Sequence, residues 1–424
     1  MRKGLQFLLC LSVLSVAPAA QQPHTGIQTI IDSPQFQRAT AFLRSDYDRF
    51  VSELITLTEI PAPPFKEQRR AQAFLQMLRQ QGLTDVEIDG EGNAMGLRRG
   101  SGPPNGPLVA VVAHLDTVFP EGTDVTVKRE GTRLMAPGIG DDTRGLAVML
   151  AVIRAMDAGK FQTGRDVLFV GSVGEEGEGD LRGVKFLFSK GRYKERIQQF
   201  VAIDGGGDGT VTTGGVGSKR YRVVFKGPGG HSWGAFGLVN PAFAMAFAAA
   251  EFSKLQVPSD PKTTYSIGVL RGGTSVNSIP AEVSMDVDMR SESCAELAKV
   301  DKAFRSIIRN AVEAENKARS TQEGSVVADP QLIGDRPCGE TRQDSPIVQT
   351  VTAVVKAFGL KPSYGISSTD ANVPMSLGIP AVTIGRGPGG RGHSPDEWTD
   401  VAVEPTLRFI KIGMTIVLAV AGSE

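Results

Sequence analysis

The chain has 424 residues, enough for two or three domains and for buried cores without disulfide staples. Lysine plus arginine and aspartate plus glutamate each number 46, so no charge excess draws the protein toward nucleic acid or anionic lipid. A hydrophobic fraction of 41% against 22% charged excludes extended disorder, and 50 glycines beside 6% aromatics point to many tight strand-to-loop turns.

The chain opens on the basic triplet Met1-Arg2-Lys3. Leu5 to Val16 is apolar apart from Gln6, Ser12 and Ser15, and Ala17-Pro18-Ala19 supplies a small-x-small cleavage pattern. Residues 1–19 therefore read as a secretory signal peptide cut near Ala19. The run is too short to span a bilayer, which needs ~20 apolar residues. The expectation is an exported protein, periplasmic or secreted, with no membrane association after cleavage. Export removes Cys10 and leaves Cys294 and Cys338. These can pair in an oxidising compartment, though nothing in their spacing requires it.

Residues 20–33 are polar and read as a leader. Apolar spacing predicts a helix from Ser33 to Thr58, ended by Pro61, Pro63 and Pro64, and a second from Lys66 to Gln81, stopped by Gly82. Apolar strands at Leu108–Val112, Asp166–Val173 and Phe200–Ile203 then alternate with helices at Asp142–Ala158 and Arg182–Ser189. This is the pattern of an α/β domain with a largely parallel, buried sheet. Near residue 215 the character changes. Strands at Arg220–Phe225, Thr263–Leu270, Glu282–Met289 and Gly324–Leu332 interleave with helices at Pro241–Leu255 and Ala295–Ala318. The order β-α-β-β-α-β is that of a ferredoxin-like module. The α/β style returns with helix Pro346–Phe358, strand Ala381–Ile384 and helix Glu404–Val420. The expected organisation is a catalytic α/β domain at 34–214 and 338–424, interrupted by a ferredoxin-like α+β lid at 215–337.

The sequence holds four histidines. His24 lies in the leader. His114 and His393 follow predicted parallel strands, as do Glu175-Glu176 and Asp204, and Asp141-Asp142 follow Gly138-Ile139-Gly140. Ends of parallel strands gather at one sheet edge, where ligands bind. Crowding carboxylates there without a cation is costly. Two imidazoles and three carboxylates suit divalent zinc, and they exceed what one four-coordinate site with a water needs. A carboxylate shared by two ions resolves the excess.

Taken in order, His114-x-Asp116, Gly138-x-x-Asp141-Asp142, Glu175-Glu176, Asp204 and His393-x-x-x-Glu397 resemble the signature of a dizinc metallo-exopeptidase family. That family includes carboxypeptidase G, peptidase T, aminoacylase and the succinyl-diaminopimelate desuccinylases. Gly229-Gly230-His231-Ser232, Asn277-x-Ile279-Pro280 and Arg290 resemble its lid. Ser368-Thr369-Asp370-Ala371-Asn372, before Gly378-Ile379-Pro380, is most similar to the peptidase T-like branch.

The resemblance implies two divalent ions, zinc with cobalt or manganese as alternatives. One would be held by His114, Asp141 and Asp204, the other by Asp141, Glu176 and His393. Glu175 would take a proton from the attacking water and pass it to the leaving nitrogen. Asp116 would fix the His114 ring. His231 would stabilise the oxyanion, in its own subunit or across a homodimer formed through the lid. Arg290 and Asn277 would hold substrate. Thr143-Arg144, where many members carry lysine, and bulky Trp233 depart from the family pattern and bear on the substrate. The expected substrate is a small peptide cut next to a free terminus, aminopeptidase- or tripeptidase-like. Carboxypeptidase and N-acyl-amino-acid amidohydrolase activities on the same site are the alternatives.

Two rival readings use the same residues. Gly230-His231-Ser232-Trp233-Gly234 fits the nucleophile elbow of serine hydrolases, with Asp370 and His393 following in order. An elbow turns straight into a helix, however, whereas Ala235–Asn240 intervene here before an Asn240-Pro241 cap. A non-catalytic metal- or peptide-binding protein would have no use for a base at Glu175.

Overall fold

The computed structural model describes residues 23–423, so the expected signal segment at 1–19 lies outside the described residues. The expected leader is corrected in part: Pro23–Asp32 is a helix whose Ile27 and Ile30 are buried in the main core. Its polar composition concealed two isoleucines at helical spacing.

The central sheet runs in the order Thr84–Ile88, Ala94–Arg98, Asp166–Ser172, Leu108–His114, Ile197–Ile203, Ala381–Ile384, Thr210–Gly215 and Gly339–Glu340, with Ser363–Ser367 also paired to Thr210–Gly215. The four middle strands are mutually parallel. Leu108–His114 shows why their sequences are apolar throughout. Val109, Val111 and Ala113 enter the core beneath helices Gly145–Gly159 and Val403–Ala421, while Leu108, Ala110 and Val112 enter the core beneath Arg182–Ser189. A strand covered on both faces has no polar face to alternate.

The predicted helix over Ser33–Thr58 is two helices, Pro34–Ser45 and Tyr47–Thr58, separated at Asp46 (φ −90°, ψ −1°). Ser33 caps the first by accepting the Phe36 N–H at 3.1 Å. The break turns the Asp46 carboxylate inward to Arg154 at 2.6 Å, and Arg154 also pairs with Glu53 at 2.9 Å. This buried triad ties the N-terminal helices to Gly145–Gly159.

The inserted module is a four-stranded antiparallel sheet in the order Thr263–Gly272, Glu282–Ser291, Gly217–Lys226, Val327–Arg336. Helices Pro241–Phe252 and Cys294–Ala318 cover one face, on which Tyr221, Val223, Phe225, Val283, Met285, Val287 and Met289 are buried. With β-period alternation, Ser218, Arg220, Asp288 and Arg290 occupy the opposite, polar face. Cys294 and Cys338 form a disulfide, which ties the start of the long lid helix to the chain returning to the α/β domain. Among the described residues no helix is long and apolar enough to cross a membrane.

Replacing Arg154 by Met leaves the buried Asp46 carboxylate unpaired and Glu53 with Arg49 alone, 2.8 Å away, and should cost about 3–5 kcal/mol. Urea unfolding of the chelator-treated protein measures it; an unchanged midpoint would show that the triad does not hold these helices.

Candidate metal centre and active-site cleft

The middle parallel strands end at one sheet edge, and the predicted residues follow those ends. His114 is the last residue of its strand. Glu175 and Glu176 follow Asp166–Ser172, Asp204 follows Ile197–Ile203, and His393 lies in the loop after Ala381–Ile384. Asp141 reaches the same place from a loop that does not continue the following helix. Asp141 (φ −107°, ψ 97°) and Asp142 (φ −120°, ψ 30°) leave helical angles, so the regular helix begins at Gly145 rather than at Asp142. Gly145 is needed there: a Cβ would stand 2.4 Å from the Asp142 carboxylate and 2.5 Å from the Ile203 carbonyl.

His114 Nε2 lies 3.0 Å from Asp141 Oδ1. His393 Nε2 lies 2.8 Å from Glu176 Oε1 and 3.3 Å from Asp141 Oδ2. His114, Asp141 and Glu176 each offer a donor atom within 4.8 Å of the others. Asp204 is joined to Asp141 through Arg386, whose Nη1 donates to Asp204 Oδ1 at 2.6 Å and Asp141 Oδ1 at 3.0 Å. The five expected ligands therefore converge, with Asp141 between the two histidines.

Expected roles are refined in two places. The near partner of His114 Nδ1 is the Asp116 carbonyl at 3.0 Å, with the carboxylate at 3.6 Å. That contact orients the ring so that Nε2 is the nitrogen facing Asp141. The Asp116 carboxylate instead accepts the N–H groups of Glu175 at 3.0 Å and Glu176 at 2.7 Å, fixing the loop that presents both. Asp142 is beneath the site: it accepts the His114 N–H at 3.1 Å, and its Oδ1 has no partner among the described residues.

The electrostatics show a site short of positive charge. Burial pushes the Glu175, Asp142 and Asp204 carboxyls up. Burial pulls the His114 imidazole down, but Asp116 and Asp141 outweigh it and hold it well above the ordinary range. His393, beside Asp141 and Glu176, is pushed up to about 10. An imidazole nitrogen aimed at a carboxylate, beside further carboxylates that burial disfavours as anions, is a donor set that fits a divalent cation.

The sequence pattern left several contributors without roles. Glu397 is buried and accepts the N–H groups of Gly138, Gly140 and Asp141, at 2.7–3.0 Å, so it fixes the loop carrying Asp141. Arg336, from the last lid strand, donates to Glu175 Oε1 at 3.2 Å, to Ser368 Oγ at 2.9 Å and to the Glu175 carbonyl. Arg220 donates to the Gly177 carbonyl at 2.8 Å. Only Glu397 had a visible signal, its spacing after His393.

A cleft of about 510 Å³ lies between these strand ends and the polar face of the lid, lined by Asp141, Glu175, Glu176, Asp204, Arg290 and His393, among others. Arg290 is thus at the site, whereas the other two lid residues are not. His231 and Asn277 are exposed and absent from the cleft lining. They adjoin each other instead, where Gly230–His231 pairs with Ser278–Ile279 and the Ser232 N–H donates to the Asn277 carbonyl at 2.9 Å.

The serine-hydrolase reading does not survive this geometry. Ser232 follows that short strand into an exposed turn, and the next helix begins at Pro241 with Asn240 as its cap. Asp370 accepts from Ser172 rather than from a histidine, and His393 faces Glu176.

Residues 110–421 match the family described as peptidase family M20/M25/M40. The chain belongs to this family. It is accordingly a metallopeptidase, a hydrolase acting on peptide bonds, of a family that uses divalent metals. The fold is shared with aminopeptidase PepT from Bacillus cereus (20% identity, TM-score 0.70, covering 88% of this chain and 99% of that one). It is also shared with a tripeptidase from Staphylococcus aureus (21% identity, TM-score 0.71, 88% and 98%). A dinuclear metal-binding peptidase of family M20 from Bacillus subtilis is similar at 15% identity and TM-score 0.66, over 89% and 98% of the two chains. Comparison with curated protein sequences gave no match. The inserted module corresponds to the M20 dimerisation domain.

If Glu397 fixes the Asp141 loop, Glu397→Ala should weaken divalent-ion affinity by about 10–100-fold, the scale for groups supporting metal ligands. Competition with a chelating dye measures this; wild-type affinity would remove Glu397 from the centre.

Proposed function

We propose that this chain is an exported dinuclear-zinc exopeptidase that removes residues from small peptides in aminopeptidase or tripeptidase fashion. The observation that carries this reading is the division of labour at the acidic pair. Glu176 stands within the group of potential ligands, 2.8 Å from His393, while Glu175 turns to Arg336 and the cleft. A binding protein has no need of that second carboxylate.

His114, Asp141 and Asp204 would hold one ion, and Asp141, Glu176 and His393 the other; zinc suits the set, with cobalt or manganese as substitutes. When bound, the ions supply Lewis-acid polarisation of the scissile carbonyl and acidify the attacking water. The remaining chemistry belongs to the chain. Glu175 accepts the water proton and delivers it to the leaving nitrogen. Burial favours its protonated form, the direction needed for delivery, while Arg336 favours the carboxylate that accepts. Arg290 receives a substrate carboxylate through its forked guanidinium. The likeness in fold to an aminopeptidase and a tripeptidase supports peptide substrates and this mode of cleavage. Export is supported by the first 19 residues and by the disulfide, which suits an oxidising compartment.

His231 and Asn277 act in a partner's site if the lid pairs with its twin. Trp233, Phe236 and Val276, near His231 in sequence or across the short strand pair, are 87%, 90% and 102% exposed. Apolar side chains so grouped are a surface for another protein chain. His231 of the partner subunit would then donate to the developing oxyanion.

Incubating zinc-loaded protein with di- and tripeptides and N-acyl amino acids, with products read by mass spectrometry, should give release of N-terminal residues. Release of C-terminal residues or acyl groups alone would reject the aminopeptidase assignment. Glu175→Gln should keep its metal and lose about 10²–10⁴-fold in kcat, whereas Glu176→Gln should lose metal affinity; a near-wild-type rate for Glu175→Gln would reject the base. His231→Ala should lower kcat by roughly 10²–10³-fold. Mixing inactive His231→Ala and Glu175→Gln subunits should restore activity if His231 acts across the interface, and no recovery would reject that arrangement.

A further inference from the structure

Arg386 stands where one of the two ions is expected. Its Nη1 makes charge-assisted hydrogen bonds to Asp204 Oδ1 at 2.6 Å and Asp141 Oδ1 at 3.0 Å, the two carboxylates assigned with His114 to a single ion. The side chain is 17% exposed, and a guanidinium stays a cation in proteins. A guanidinium and a divalent ion compete for these carboxylates. Asp141 Oδ1 already meets both His114 Nε2 and Arg386 Nη1, so an ion there competes with the guanidinium for acceptor sites, and their charges repel. At the other expected position, among the described residues, only His393, itself an expected ligand, contacts both Asp141 and Glu176.

The structure also gives Arg386 somewhere to go. Arg386 lines the substrate cleft on one side and, on the other, a separate pocket of about 300 Å³. That pocket is walled by glycines, among them Gly140, Gly206, Gly207 and Gly390, whose missing side chains leave its volume open. Its wall holds one carboxylate, Glu397, which already accepts three backbone N–H groups, and one cation besides Arg386, Arg144, whose guanidinium is turned to the Pro388 and Asp400 carbonyls.

We propose that Arg386 is a resident counter-cation of the Asp141–Asp204 pair. The chain then binds its two ions with unequal affinity: the ion at Asp141, Glu176 and His393 enters first, and the ion at His114, Asp141 and Asp204 binds only as Arg386 withdraws into the glycine-walled pocket. The proposal rests on the dinuclear reading above. It names Arg386 as a positioning residue acting through metal occupancy, and it assigns the Gly-rich loop after Ile384 a second task besides carrying His393.

The test is calorimetric titration of the chelator-treated full-length protein with zinc alone, paired with elemental analysis after dialysis. Wild type should show two dissociation constants separated by at least about tenfold, the equivalent of about 1.4 kcal/mol. Arg386→Met should tighten the weaker constant by at least about tenfold, and Arg386→Lys, which keeps the charge, should leave it weak. If the Met variant does not fold, Arg386→Gln keeps hydrogen bonding without charge and should tighten it likewise. Two equal constants in wild type would overturn the proposal without touching the dinuclear reading. An unchanged weak constant in a folded Arg386→Met or Arg386→Gln protein would do the same. Wild-type protein that folds but binds no zinc would overturn both.

Discussion

The organising constraint of this structure is like charge gathered at a sheet edge. Asp141, Glu175, Glu176 and Asp204 all face one cleft at the ends of the middle strands. Such an arrangement is unstable by itself, because buried carboxylates in proximity disfavour one another's ionisation. The surroundings supply part of the compensation: His114 and His393 against Asp141, Arg386 between Asp141 and Asp204, and Arg336 against Glu175. Positive charge is thus already invested in the site, and a divalent ion must fit among these groups or replace one of them.

The parallel sheet makes this gathering possible. Side chains that are far apart in sequence arrive together only because the four middle strands point the same way and are hydrogen-bonded in sequence-remote pairs. The rigidity comes from cores on both faces. A second layer of polar contacts then fixes the loops. Asp116 holds the Glu175–Glu176 backbone and Glu397 holds that of Asp141, so each acidic loop is pinned by another carboxylate accepting backbone N–H groups. The lid completes the cleft through its polar face, with Arg290 opposite the strand ends and Arg336 in contact with Glu175.

Much of this was legible in the sequence, for identifiable reasons. The apolar runs at 108–112 and 200–203 marked doubly covered strands, and the ligand-type residues sat at their ends, so strand prediction and site prediction were one inference. The alternating strands of the lid were equally plain. Two classes of feature were hidden. One is local: Asp46 divides a continuous helical pattern because its carboxylate is taken by Arg154, more than a hundred residues away. The other is charge compensation. Arg336 and Arg386 read as ordinary basic residues, since only the folded chain shows which carboxylates they meet. His231 and Asn277 carry a recognisable motif yet lie outside their own chain's cleft, because a motif does not say where the fold will place it.

The central claim is that these strand ends hold two divalent ions bridged by Asp141. Anomalous X-ray diffraction from crystals grown in saturating zinc tests it most directly. The account predicts two peaks about 3.5–4 Å apart, flanking the Asp141 carboxylate, one beside His114 and the other beside His393. A cleft without anomalous density, or zinc bound only elsewhere on the protein, would contradict it.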